Sequence, residues 1–329
     1  MPQALLKTRC DELGMAHLAA DAQVFSEQVC ITTDINLHLM GVCLSAHTAP
    51  AAPKAMGSAA DQCAPPLDRA LYEALERMAL LQAEHSGRLR FEDDPHGVWR
   101  MARSNGIALH RSVTEATEHA TAELMERDRV LRCWFGDSDN AVAMVGHDTD
   151  DADLCLKSLQ SQYEIRCVEF TEEDPTSPFH VAGVFALPRR GDLPLFYGLS
   201  ARRSLSEALR GAAREALQRL GFLWGEAIPQ NAPTVAPSAL GHQEYYLYPG
   251  HQDVVRQWLE EGGPPRPLLT RRTACPYVVT SKDITPSWMA GQFSVIKAEC
   301  PEAVPLTFGA RHPWIQDTGA GRWLIHPIA

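Results

Sequence analysis

No apolar run in this 329-residue chain is long enough to cross a bilayer. The longest uncharged stretch, 35–53, contains Asn36, His38, His47 and prolines. The first residues, MPQALLKTRCDELG, lack the apolar core of a secretion signal. Basic residues are in deficit, 30 Lys and Arg against 41 Asp and Glu, for a net charge of −11. No Lys/Arg cluster offsets that balance, which argues against a nucleic-acid partner. Nine cysteines occur, an odd number with no CxxC among them, and 13 histidines form neither HExxH nor a Cys/His ladder. A disulfide framework and a zinc site are therefore disfavoured, and reduced, buried thiols in a cytoplasmic protein are expected. There is no G-x-x-x-x-G-K-[ST], no G-x-G-x-x-G, no kinase catalytic loop and no Ser nucleophile elbow. Any nucleotide site would have to be built from helix faces.

What is present is an ordinary globular composition, 45% apolar and 22% charged. Residues 24–45 read as strand material, and 46–66 as a Pro/Ala-rich loop. The segment 67–81 is strongly helical, with Ala, Leu, Glu and Arg and no Gly or Pro. A second helix is expected over 112–134, where Ser112 and Glu115 make the capping-box pattern. Strand 141–145, an acidic turn, a helix to 163 and strand 164–170 suggest a βαβ-like unit. Strands follow at 179–187 and 195–200, then a helix over 204–220 closed by Gly221. A second Pro/Ala-rich loop covers 227–241. A helix at 254–261 and strands at 277–280 and 293–297 complete a mixed α/β chain. It lacks the regular alternation of a barrel or a doubly wound sheet.

The three strong helices share a phrase, A-x-x-E-[AL]-x-[EQ]-R. It runs Ala70-Leu-Tyr-Glu73-Ala-Leu-Glu76-Arg77, then Ala120-Thr-Ala-Glu123-Leu-Met-Glu126-Arg127, then Ala212-Ala-Arg-Glu215-Ala-Leu-Gln218-Arg219. Residues three and four apart share a helix face, so each phrase presents two carboxyl or amide groups and an arginine in one stripe. On a solvated helix such pairs contribute only about 0.3–0.5 kcal/mol. The apolar neighbours Leu71, Ala74, Leu75 and Met78, and Leu124, Met125, Val130 and Leu131, predict enclosure instead. Two half-buried glutamates repel unless a cation joins them. Carboxylates together with phosphate oxygens are what Mg2+ takes, and arginines can clamp the phosphates.

At these residues the sequence resembles the YcaO family of ATP-dependent enzymes that modify backbone amides of ribosomal peptides. Ser104-Asn105-Gly106, Glu115 and Glu123-Leu-Met-Glu126-Arg127-Asp128 are similar to its S-N-G…E-A…E-L-x-E-R-D signature. Residues 70–77, 197–218 and 283–309 resemble further family segments, in family order. The chain departs at Met56, where the family has a lysine, and at Arg69, where it has a serine. The resemblance implies a single YcaO-like domain over 1–329, a mixed α+β fold with ATP bound between helices, and no Rossmann or P-loop domain. It implies ATP and Mg2+ as cofactors. It carries metal ligation to Glu73, Glu76, Glu123 and Glu126, and nucleotide contacts to these and to Arg77, Ser104, Glu115, Arg127, Arg210, Glu215 and Gln218. The implied activity is cyclodehydration of Cys, Ser or Thr in a precursor peptide. Thioamide or amidine formation, or a non-catalytic peptide-binding role, stays open. The implied partners are that peptide and an E1-like or leader-binding protein, with a homodimer also open. The tail His326-Pro-Ile-Ala329 resembles a family tail directed to the active site, and its removal is expected to spare the fold.

Overall fold

Alternation and helix-forming stretches organise this chain into antiparallel sheets, each backed by helices. A computed structural model describes residues 2–45, 54–137, 140–146, 151–172, 177–264, 268–269, 278–315 and 321–329. In chain order the elements are α1 (Pro2–Glu12), α2 (Ala16–Ala19), β1 (Gln23–Cys30), β2 (Asn36–Ser45), β3 (Lys54–Asp61), α3 (Leu67–His85), β4 (Trp99–Met101), β5 (Ile107–His110) and α4 (Val113–Trp134). They continue with β6 (Asn140–Met144), α5 (Asp151–Ser158), β7 (Tyr163–Glu172), β8 (His180–Pro188), β9 (Phe196–Arg202), α6 (Leu205–Leu223), α7 (Ala239–Leu247) and α8 (Pro249–Glu261). Last come β10 (Thr280–Asp283), β11 (Ser294–Glu299), β12 (Thr307–Gly309) and a 3-10 turn, Gly321–Leu324. Residues 46–53 of the loop expected at 46–66, residues 148–150 of the expected acidic turn and residue 277 of the strand expected at 277–280 lie outside the described residues.

The chain divides into two compact units. The first comprises residues 1–90, 106–121 and 279–299. It holds the sheet β1-β2-β3 and the sheet β10-β11-β5, both antiparallel. α3 packs on β2 and β3 through buried Leu71, Ala74, Leu75 and Met78. The approach is close at Gly57, where a Cβ would lie 2.1 Å from the Ala70 carbonyl oxygen and 2.4 Å from the Ala74 nitrogen. Only glycine fits there.

The second unit comprises residues 91–105, 122–278 and 300–329. Its main sheet runs β6-β7-β8-β9, all antiparallel, with β12-β4 as a small second sheet. Trp134, Trp258, Phe170 and Phe185 centre its core, with Trp134 and Trp258 edge-to-face at 5.0 Å. From Ala122 onward α4 anchors the unit through buried polar groups. Asp128 accepts from Val304 N–H at 2.6 Å and from Arg132 Nε at 3.0 Å, and Arg132 donates to the Glu302 carbonyl at 2.8 Å.

Four sequence expectations change. The 46–66 loop carries β3, whose Ala- and Gly-rich residues suit a strand lying under a helix. The expected βαβ unit is not a parallel crossover, because β6 and β7 pair antiparallel. Gly221 does not close α6, which runs on to Leu223 with Gly221 buried inside it. Cys10, Cys133 and Cys167 are buried as expected, whereas Cys30 and Cys63 are exposed; all described cysteines are unpaired. Among the described residues no helix is long and apolar enough to cross a membrane.

The chain's last residues are held by their main chain. Tyr246 and Tyr197 hydroxyls donate to the carbonyls of Ile325 and Pro327. His242 Nδ1 donates to the His326 carbonyl at 2.9 Å, and Ala329 N–H donates to the Tyr197 hydroxyl at 2.9 Å. The His326 ring, fully buried, donates to the Thr307 carbonyl at 2.7 Å. Removing 326–329 would strip the bonds made by Tyr197, His242 and the Thr307 carbonyl from buried partners, which predicts a loss of stability where the sequence suggested none.

Candidate functional site

In the first unit the glutamates of α3 cap the edges of two sheets. β3 and β5 are edge strands, whose outward N–H groups need partners. Glu73 Oε2 accepts from Ser58 N–H at 2.6 Å, and Glu76 Oε2 accepts from Leu109 N–H at 2.9 Å. Arg77 pairs with Glu73 Oε1 at 2.6 Å and donates to the Met56 carbonyl at 2.6 Å. Met56 itself points outward, 59% exposed, and Arg69 donates to the Ala60 carbonyl at 3.1 Å. The stripe predicted from the i,i+3,i+4 spacing is therefore real. Its arginine and first glutamate are turned to one strand, its second glutamate to another.

Glu115 sits at the start of α4 in the capping box expected from sequence. Ser112 Oγ accepts from Glu115 N–H at 3.2 Å and donates to Glu115 Oε2 at 2.6 Å. His110 Nδ1 lies 2.7 Å from the same carboxylate, and its ring stacks on His119 at 5.6 Å. The Ser112 hydrogen bond first, then the nearby histidines, hold the Glu115 carboxyl below its usual range.

The second unit gathers Glu123, Glu126, Arg127 and Glu215. Glu126 is 6% exposed, and Arg127 Nη1 lies 3.2 Å from Glu126 Oε1 without hydrogen-bond geometry. Burial pushes the Glu126 carboxyl up to about 7; Arg127 opposes this, and the charges of Glu215 and Glu123 add to it. Burial works against the Arg127 charge, but Glu126, Glu215 and Glu123 together hold its pKa above the usual arginine value. Glu215 Oε2 accepts from Leu199 N–H at 3.2 Å, at the free edge of β9. Of the other predicted residues, Arg210 is exposed on α6, Gln218 is half-buried one turn past Glu215, and Ser104 is half-buried in the turn before β5.

The donor set fits Mg2+ with a phosphate ligand. A buried carboxyl with other carboxylates near it asks for a cation. Among the described residues no three Asp, Glu, His or Cys side chains form a ready-made metal cage. Mg2+ commonly binds through one or two carboxylates and completes its shell with water and phosphate oxygens.

Two residues of this neighbourhood went unassigned from sequence, Tyr197 and Arg219. Arg219 closes the third copy of the helical phrase, so its signal was present. Tyr197 is buried, its hydroxyl pKa raised by burial while Arg219 and Arg127 oppose the shift.

This chain belongs to the YcaO cyclodehydratase family, described as ATP- and Mg2+-binding, which matches residues 89–275. The fold is similar to that of YcaO from Methanopyrus kandleri bound with AMPPCP and Mg2+, at 12% identity over 91% of this chain and 90% of that one, TM-score 0.56. It is also similar to the E. coli microcin synthetase McbBCD complex with pro-MccB17 bound, at 14% identity over 85% and 88%, TM-score 0.52. A heterocyclase in complex with substrate and cofactor matches at 13% identity over 91% of this chain and 52% of that one, TM-score 0.51. No curated protein matches the sequence significantly.

Proposed function

We propose that this chain is an ATP-dependent cyclodehydratase acting on Cys, Ser or Thr of a ribosomally made peptide. Glu73, Glu76, Glu123 and Glu126 are the proposed Mg2+ ligands. Arg77 and Arg127, with Glu115, Glu215 and the weaker Ser104, Arg210 and Gln218, are the proposed nucleotide contacts. Bound Mg2+ would neutralise phosphate charge. The peptide thiol or hydroxyl loses its proton to solvent and attacks the preceding amide carbonyl, and the resulting oxyanion takes the γ-phosphoryl group of ATP with release of ADP. Loss of phosphate and the amide proton then leaves a thiazoline or oxazoline. Phosphoryl transfer of this kind needs positioning and charge neutralisation more than covalent help.

The observation that carries this reading is the buried Glu126 carboxyl with the half-buried Arg127 guanidinium, beside Glu123 and Glu215. Buried like charges are costly to keep without a ligand. Family membership supports the ATP and Mg2+ part. Structures similar in fold include one bound with AMPPCP and Mg2+ and one with pro-MccB17, which supports a peptide substrate and partner proteins. Glu126→Gln keeps size and removes the charge. The expected result is a folded protein that has lost Mg·ATP binding by calorimetry. Unchanged affinity would make the pair a structural one. Turnover by the purified chain alone is expected to be poor, and addition of a co-encoded partner is expected to raise it; full activity without one would contradict that part.

A further inference from the structure

The two units contain the same strand–helix device. In each, a three-stranded antiparallel meander is followed by a long helix: β1-β2-β3 by α3, and β7-β8-β9 by α6. In each, the last strand carries a glycine paired with a valine of the middle strand, Gly57 with Val42 and Gly198 with Val184. A Cβ on Gly57 would lie 2.1 Å from the Ala70 oxygen and 2.4 Å from the Ala74 nitrogen; on Gly198 it would lie 2.1 Å from the Ala212 oxygen and 2.4 Å from the Ala216 nitrogen. The N–H one residue beyond each glycine is taken by the glutamate of the helical phrase, Ser58 by Glu73 and Leu199 by Glu215. The residue before each glycine meets the arginine of that phrase: Met56 gives its carbonyl to Arg77, and the Tyr197 ring carries the Arg219 guanidinium at 4.1 Å. Glycine, glutamate and arginine thus correspond as a set.

The correspondence makes Arg219 the counterpart of Arg77. Their surroundings differ in one respect that matters chemically. Arg77 is neutralised by Glu73. Arg219 donates Nη2 to the main-chain oxygen of Ala329 at 2.9 Å, lies on an aromatic face, and has a buried Nε with no hydrogen-bond partner among the described residues. A buried unpaired guanidinium N–H is costly, and an anion would satisfy it. Arg219 and Arg127 both act on the Tyr197 hydroxyl, as does Glu215, so Arg219 belongs to the second unit's charged cluster.

We propose that Arg219 is a second phosphate-contacting arginine of that cluster, set there by the repeated strand–glycine–glutamate–arginine device. This rests on the nucleotide reading above. The test is calorimetric titration of Mg·ATP into the wild-type chain, Arg219→Gln, Arg219→Lys and Glu126→Gln, each at several salt concentrations. Arg219→Gln is expected to weaken Mg·ATP by about tenfold or more, the loss of one charge-assisted contact. It is also expected to flatten the fall of affinity with salt, because one screened charge pair is gone. Arg219→Lys is expected to keep the salt slope and lose less, since a point charge replaces the guanidinium fork. If Arg219→Gln does not fold, Arg219→Lys decides: an affinity loss of about threefold or more supports the contact, and wild-type affinity overturns it. An unaltered salt slope in Arg219→Gln, even with weaker binding, would overturn direct contact in favour of a packing role. Wild-type and Arg219→Gln affinity alike, with binding lost in Glu126→Gln, sinks this inference alone. No binding by the wild type sinks the nucleotide reading with it.

Discussion

Neighbouring letters of the second helical phrase do different work. Glu126 is buried and Arg127 half-buried beside other charges, whereas Asp128, the next residue, is spent on the backbone N–H of Val304 and on Arg132. Asp128→Ala would leave Arg132 buried with one partner fewer and an unsatisfied N–H. Breaking a buried pair from one side typically costs about 3–5 kcal/mol. Chemical denaturation is expected to show a loss of that order, while Mg·ATP affinity measured on the folded fraction stays near wild type. The charged phrase was legible in the sequence because helical spacing alone sets its stripe. Which letter faces a ligand and which a loop was not, because Val304 lies far along the chain and contributes only a main-chain group.

At the scale of elements, β3 is the instructive miss. Lys54-Ala-Met-Gly-Ser-Ala-Ala-Asp61 has no β-branched or aromatic residue, so propensity points away from a strand. It is a strand because α3 lies so close that only small side chains fit, and because Glu73 and Arg77 satisfy its free edge. At β9 and α6 two of these features recur, the close approach at Gly198 and the bond from Leu199 N–H to Glu215. Gly57→Ala and Gly198→Ala each force a methyl against helix backbone, which cannot rotate away. Each is expected to cost about 2–3 kcal/mol by overpacking, read from urea denaturation. A cost below about 0.5 kcal/mol at either site, the range of an ordinary surface change, would show that the helix shifts freely there. The long helices α3, α4 and α6 and the strands β7, β8, β9 and β11 were legible, since periodicity and capping carry them, whereas α1, α7 and the short strands β4, β5 and β12 were not. The partners of edge strands were not, since pairing is set by tertiary approach.

Within the second unit as a whole, the tail is fastened by histidines that must be neutral. His242 donates from Nδ1 to the His326 carbonyl and accepts Gly309 N–H at Nε2, 2.9 Å each, which only one neutral tautomer can do. His312 likewise donates to the Pro305 carbonyl at 3.0 Å and accepts Trp314 N–H at 3.2 Å. Burial lowers His242 and His312 to about 4 and His326 well below its usual value. In the unfolded chain these groups take up a proton as pH falls through about 6.5, and in the folded one His242 and His312 do so only near 4. Their contribution is therefore complete above about 6.5 and is lost progressively down to about 4, roughly 3 kcal/mol for each of His242 and His312. Unfolding free energy measured across that window should fall accordingly, and His242→Gln should reduce the slope. A flat profile would contradict the assignment. By the same contacts, removing 326–329 should lower the melting temperature measurably.

We propose that Glu76 of α3 and Glu126 of α4 are each needed for Mg·ATP binding. The most direct test is calorimetric titration of Mg·ATP into wild type, Glu76→Gln and Glu126→Gln, with and without a chelator. The account predicts saturable binding by the wild type, its loss on chelation, and its loss in either variant with both proteins still folded. Wild-type affinity retained in Glu76→Gln or in Glu126→Gln would contradict it.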